Sequence, residues 1–132
     1  TNEPMSVPEL MIQAIDFIIM QNRIYTPSGK SFRRISEVAE VVGIEEGVVQ
    51  LNKIFQWTPE TDTIDNVSIT SKTLSQIANL SGKSMNELYH EIEKREMVLS
   101  HMVRNNIRSV SEVNNILERY YKNPEEILNE IR

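Results

Sequence analysis

The sequence predicts an α+β fold in which a small antiparallel strand layer precedes a C-terminal bundle of four helices. Three observations carry this. β-Branched residues and mixed periodicity dominate up to Thr58, and four segments of helical periodicity with start signals follow Asn66. No repeat, low-complexity tract or Gly/Ser linker separates the two parts. The 132 residues therefore read as one domain, with residues 1–69 strand-rich and 70–132 helical.

Along the chain, Pro8 suits the first turn of a short helix reaching Ala14, where its missing N–H costs little. Phe17 to Tyr25 reads as a buried strand, and Thr26-Pro27-Ser28-Gly29-Lys30 as the turn of a hairpin. The next stretch is ambiguous from its residues alone. Ile35, Val38, Ala39 and Val42 fall on a helical stripe, yet the segment is short, rich in Val and Ile, and bounded by Gly29 and Gly43. From Val48 to Trp57 apolar and polar residues alternate, except at Lys53 and Ile54. In the second half, Leu74, Ile77 and Ala78 form a narrow stripe that Gly82 ends. Ser84-Met85-Asn86-Glu87 matches a capping box, and Met85, Leu88, Tyr89, Ile92, Leu99, Met102 and Val103 suggest one apolar face. Val110, Val113, Leu117 and Tyr120 form a third helix capped from Ser109. Asn123-Pro124-Glu125-Glu126 opens a fourth, backed by Ile127, Leu128 and Ile131.

Composition narrows the function. Net charge is −5, and a nucleic-acid binder draws most of its affinity from cations on phosphates. The absence of Cys excludes disulfides, thiolate metal sites and a thiol nucleophile. The longest apolar run, Phe17 to Met20, is far short of a membrane span, and no export signal opens the chain. The expectation is a soluble, intracellular, mainly structural domain. Because the chain opens at Thr1 without an initiator Met, it also reads as an excised piece.

Motifs that imitate chemistry fail on spacing or sign. Gly29-Lys30-Ser31 and Gly82-Lys83-Ser84 lack the glycine a phosphate loop needs five positions earlier, where Ile24 and Ile77 stand. The pair of segments around Ser81-Gly82 imitates a helix-turn-helix, but its second helix opens with Glu87, Glu91 and Glu93, which would repel a DNA backbone. His90 and His101 lie about three helical turns apart, ~16 Å, too far to share a metal. No catalytic, cofactor-binding or metal-ligating residue is expected. Arg33-Arg34 is more pointed: Arg favours bidentate contact with carboxylate or phosphate, so the pair suits an interface or an anion, although exposed edge charges are common.

Several phrases, in order, resemble one family. Thr1-Asn2-Glu3-Pro4-Met5, Val7-Pro8 and Ala14-Ile15-Asp16 are similar to the segment after the histidine box of archaeal type II/IV secretion-system ATPases, the motors of pilus and archaellum assembly and related secretion. Arg33-Arg34-Ile35 with Glu37-Val38 and Glu40-Val41 resembles that family's next strand. Phe55-Gln56-Trp57-Thr58-Pro59 to Asp62 resembles its aromatic loop. Leu88, Glu91, Arg95 and Leu99, then Tyr120-Tyr121 and Pro124, resemble its closing helices. The resemblance implies a strand at residues 33–42 and the C-terminal part of a RecA-like ATPase domain. It implies ATP and Mg²⁺ in a full-length hexameric parent, with every nucleotide motif upstream of this chain, which alone would be inactive. It further implies a cytoplasmic location at the membrane face, beside a membrane-embedded platform protein. Arg33, Arg34 and Arg95 become candidates for intersubunit or intradomain salt bridges, and Trp57 for a packing anchor. A strand layer cut from a larger sheet would expose an edge and an apolar face, so the chain is expected to self-associate. The alternatives are a helix-turn-helix DNA-binding regulator and a helical protein-interaction module.

Overall fold

A computed structural model describes residues 14–132; the expected helix from Pro8 lies outside them. Strands β1 (Phe17–Tyr25), β2 (Ser31–Glu45), β3 (Val48–Thr58) and β4 (Thr63–Asn66) form one antiparallel sheet in chain order. Helices α1 (Lys72–Ser81), α2 (Met85–Arg104), α3 (Val110–Lys122) and α4 (Pro124–Ile131) follow. The fold is α+β. Its contacts divide it between Ile77 and Ala78 into two compact units, rather than at residue 69. The boundary is later because the first turn of α1 is bonded to β2: the Lys72 and Thr73 N–H groups both donate to the Glu40 carboxylate.

The sheet is a meander, each strand pairing with the next in the chain. The Thr26–Lys30 turn closes as expected, with Thr26 N–H donating to the Lys30 carbonyl and Gly29 at φ +86°. A second hairpin turns on Glu46 and Gly47, both at positive φ between the paired residues Glu45 and Val48, the backbone of a two-residue loop that matches strand twist. Gly43 is therefore no boundary; it lies inside β2 beside a register shift.

Residues 33–42 are strand, and the shifts in register explain why they imitate a helix. Ile35 and Val38 pair with Gln21 and Ile19, which are two apart and share a face. Ser36 is the extra residue between them, so a strand spacing of two becomes three. The same device explains the break in alternation in β3: Val38 and Ala39 pair with Phe55 and Lys53, leaving Ile54 as the bulged residue. β4 carries one large apolar residue, Ile64, and escapes any pattern count.

Three helices, not four, build the helical core. Val98, Met102, Tyr120, Ile127 and Leu128 are buried together, with Ile107, Val113, Ile116, Leu117 and Ile131 against them, whereas α1 buries no residue. Ten residues with a narrow apolar stripe give α1 little to contribute. Ser84 and Ser109 cap α2 and α3 by accepting from the Glu87 and Glu112 N–H groups. Asn123 sits at the start of α4 without a side-chain cap bond; it also ends α3, where its N–H donates to the Arg119 carbonyl. Of the seven residues expected on the apolar face of α2, two are buried. Leu88 and Met102 are buried with Val98, while Tyr89, Ile92, Leu99 and Val103 are exposed. The line from Leu88 to Val98 and Met102 is interrupted by the half-buried Glu91 and the exposed Arg95, so a search for apolar residues finds its neighbour instead.

Candidate functional site

The end of the sheet that holds the β3–β4 turn brings together two of the four residues singled out from sequence. Arg34 grips Asp62 bidentately, Nε to Oδ1 at 2.7 Å and Nη2 to Oδ2 at 2.8 Å. The Trp57 indole N–H donates to the same Oδ1 at 2.8 Å. Arg34 also donates from Nη1 to the Arg33 carbonyl, and its guanidinium lies 4.5 Å over the Phe32 ring. Asp62 is held in the left-handed region at φ +51°, which a short polar side chain tolerates. Arg34 first and Trp57 second hold its carboxyl well below the usual carboxylate range. Trp57, half-buried, is thus held by its polar edge. Asp62, the residue that joins the cluster, was legible only as the end of the aromatic loop.

Arg33 points elsewhere. It pairs across the strands with Arg23, and both are exposed. Arg95 belongs to the helical unit, where it lies 5.7 Å over Tyr120 and 5.6 Å over Tyr121, 4.0 Å from Glu91. Tyr120 Oη donates to Glu91 at 3.5 Å. Burial first, and Glu91 second, raise the Tyr120 phenol above its ordinary value, so it stays a donor. Arg95 ties α2 to α3 within the chain.

The group sequence reasoning missed is Glu40. At 1% exposure it is the one buried charged side chain among the described residues. Its carboxylate accepts from Asn52 Nδ2 at 2.9 Å, Ser71 Oγ at 3.0 Å, and the N–H groups of Lys72 at 2.8 Å and Thr73 at 3.1 Å. Ser71 Oγ in turn accepts from Leu74 N–H, so three orphan donors of the α1 start are satisfied. Burial pushes the Glu40 carboxyl up, but the bonds from Asn52, Lys72 and Thr73 outweigh it and hold it down to about 2. A fully bonded carboxylate of this kind fastens helix to sheet. It is not a free acid or base.

An ATP–Mg²⁺ cradle does not fit either Gly-Lys-Ser triplet. The Gly29 N–H is spent on the Thr26 carbonyl and the Gly82 N–H on the Ala78 carbonyl, while Ser84 caps α2. No group of three or more potential metal-ligating side chains forms among the described residues. No described helix is long and apolar enough to cross a membrane.

No family model matches the chain. Three uncharacterized proteins of Methanocaldococcus jannaschii are similar to it. One is 33% identical over 134 residues, covering all of this chain and 18% of the relative. A second is 31% identical over 104 residues, 77% of the chain and 38% of the relative. A third is 27% identical over 127 residues, 91% of the chain and 22% of the relative. The chain spans less than two fifths of each, so the segment recurs inside longer proteins of unequal length.

Proposed function

We propose that this chain is the C-terminal portion of a hexameric ATPase that drives protein secretion or the assembly of a pilus or archaellum. In this reading the strands extend the RecA-like sheet of the parent, which binds ATP and Mg²⁺ through residues upstream. The helices face neighbouring subunits or a membrane-embedded platform, on the cytoplasmic side of the membrane. The chain itself contributes structure and contacts rather than chemistry.

One observation carries the reading. β1 is an edge strand of the described sheet, yet Phe17, Ile19 and Met20 are exposed along it, on both faces. Natural edges are usually blunted by charge, Pro or brevity, and apolar residues on both faces mark a strand covered on both sides. The relatives, all much longer than the matched segment, supply chain that could cover it. The ordered family resemblance along the sequence supports the motor in particular. The test is a longer protein carrying this segment, purified and assayed with ATP and Mg²⁺. It is expected to hydrolyse ATP as a hexamer, while the 132-residue chain alone does not. A longer protein that neither binds nor hydrolyses ATP overturns the proposal.

A helical protein-interaction module remains the second reading, favoured by the exposed Tyr89, Ile92, Leu99 and Val103 along α2. A partner helix would lie in that stripe whatever the upstream chain contains.

A further inference from the structure

We propose that Arg23 and Arg33 form a clamp for a doubly charged phosphate group, such as a phosphate monoester. This site is independent of the motor reading and would stand without it. The two arginines are direct partners across the β1–β2 ladder, so they share a face with Cβ atoms roughly 5 Å apart. Like charges placed opposite each other destabilise a sheet. Among the described residues no carboxylate pairs with either to offset the repulsion. Arg34, Arg95 and Arg119 have carboxylate partners; Arg104, Arg108 and Arg132 also lack one among the described residues, but none of them faces a second arginine across a strand pair.

The pair is partly organised already. Arg23 Nε donates to Ser31 Oγ at 3.3 Å, and the guanidinium lies 5.7 Å over the Tyr25 ring. Tyr25 pairs directly with Ser31, which places a ring and a hydroxyl on the same face. The pair stands out in a chain whose net charge is −5.

Charge matching selects the ligand. A carboxylate carries one negative charge and would leave one guanidinium uncompensated. A phosphate monoester carries about −1.5 to −2 at neutral pH and offers oxygens that guanidinium forks bind bidentately. Binding here is by side chains and needs no metal, unlike a phosphate loop.

The test is a ¹H–¹⁵N NMR titration of the 132-residue chain with inorganic phosphate, against acetate and chloride at equal ionic strength. The Ser31 and Arg33 amides and the Arg23 and Arg33 Nε–H signals are expected to shift saturably with phosphate only, more tightly at about pH 8 than at about pH 6 as the dianion fills. Arg23→Gln or Arg33→Gln is expected to weaken binding about tenfold. Either variant without phosphate should keep or raise the thermal midpoint, because the like-charge pair is gone, and should lose the rise that phosphate gives the parent chain. Shifts no larger than those from acetate overturn the proposal. So does a variant that loses stability while keeping its phosphate response, since that marks a structural role. Vesicles separate the sources: retention on phosphatidylglycerol over phosphatidylcholine that free phosphate does not displace assigns the patch to a membrane surface and overturns the monoester clamp.

Discussion

The two units solve the same problem differently. From Ala78 onward, α2, α3 and α4 close around five residues that are at most 5% exposed, with Leu128 fully buried. The sheet buries one apolar side chain to that degree, the small Ala39, and beside it the charged Glu40. The helical unit is held by apolar packing, which is non-directional and tolerant. The sheet unit is held by its ladder and by directed polar bonds at Glu40 and Asp62, while Phe17, Ile19, Val48 and Leu51 remain exposed. The helical unit also exposes apolar residues, Leu99 and Val103 among them, so the two units differ in what they bury rather than in what they leave exposed.

That contrast is breakable, and the largest effect belongs to the helices. Leu128→Ala should cost about 2–5 kcal/mol by denaturant unfolding, as cavity formation at a buried Leu does. It should leave amide protection in β2 and β3 untouched. In the sheet unit, Glu40→Gln should cost about 1–3 kcal/mol, because an amide cannot satisfy two backbone donors and two side-chain donors as a carboxylate does. Faster hydrogen exchange at Lys72 and Thr73 would locate the loss. The same carboxylate sets a pH dependence. Its value in the folded chain, about 2, lies below the ordinary 4.5, so its contribution is full above pH 4.5 and fades as pH falls towards 2. Glu40→Gln should flatten that part of the acid-unfolding curve, and an unchanged curve would contradict the assignment.

Asp62→Asn should have a smaller effect on stability, since the Arg34 pair is exposed, but a clear one on fluorescence. Trp57 is the only tryptophan, and its indole N–H bond to Asp62 is in question. Asp62→Gly separates backbone from side chain: it relieves the positive φ yet should give the same emission change. Smallest of all, Leu99→Ala should fall within about 0.5 kcal/mol of the parent despite its place in an apolar stripe, because Leu99 is 55% exposed.

Much of the fold could be read from the sequence. Caps at Ser84 and Ser109, the Gly82 stop and the Thr26–Lys30 turn are local signals, and local physics decided them. Where reading failed, the cause was a non-local contact. The bulges at Ser36 and Ile54 depend on partner strands and disguise alternation as helical spacing or as noise. Glu40 looks like any surface Glu until Asn52, Ser71 and the start of α1 close over it. On α2 the polar Glu91 and Arg95 lie on the core side only because Tyr120 and Tyr121 meet them there. The site residues divided in the same way: Arg34 and Trp57 met at Asp62, whereas Arg33 turned to Arg23 and Arg95 stayed within the helices.

Hydrogen exchange along β1 addresses the contrast most directly. It should be measured in the dilute 132-residue chain and in a longer protein carrying the segment. Amides of Phe17 to Tyr25 that do not bond to β2 should exchange freely in the chain alone and become strongly protected in the longer protein, where further strands cover them. Equal, rapid exchange in both would mean that β1 is a true edge and that the sheet ends where this chain does.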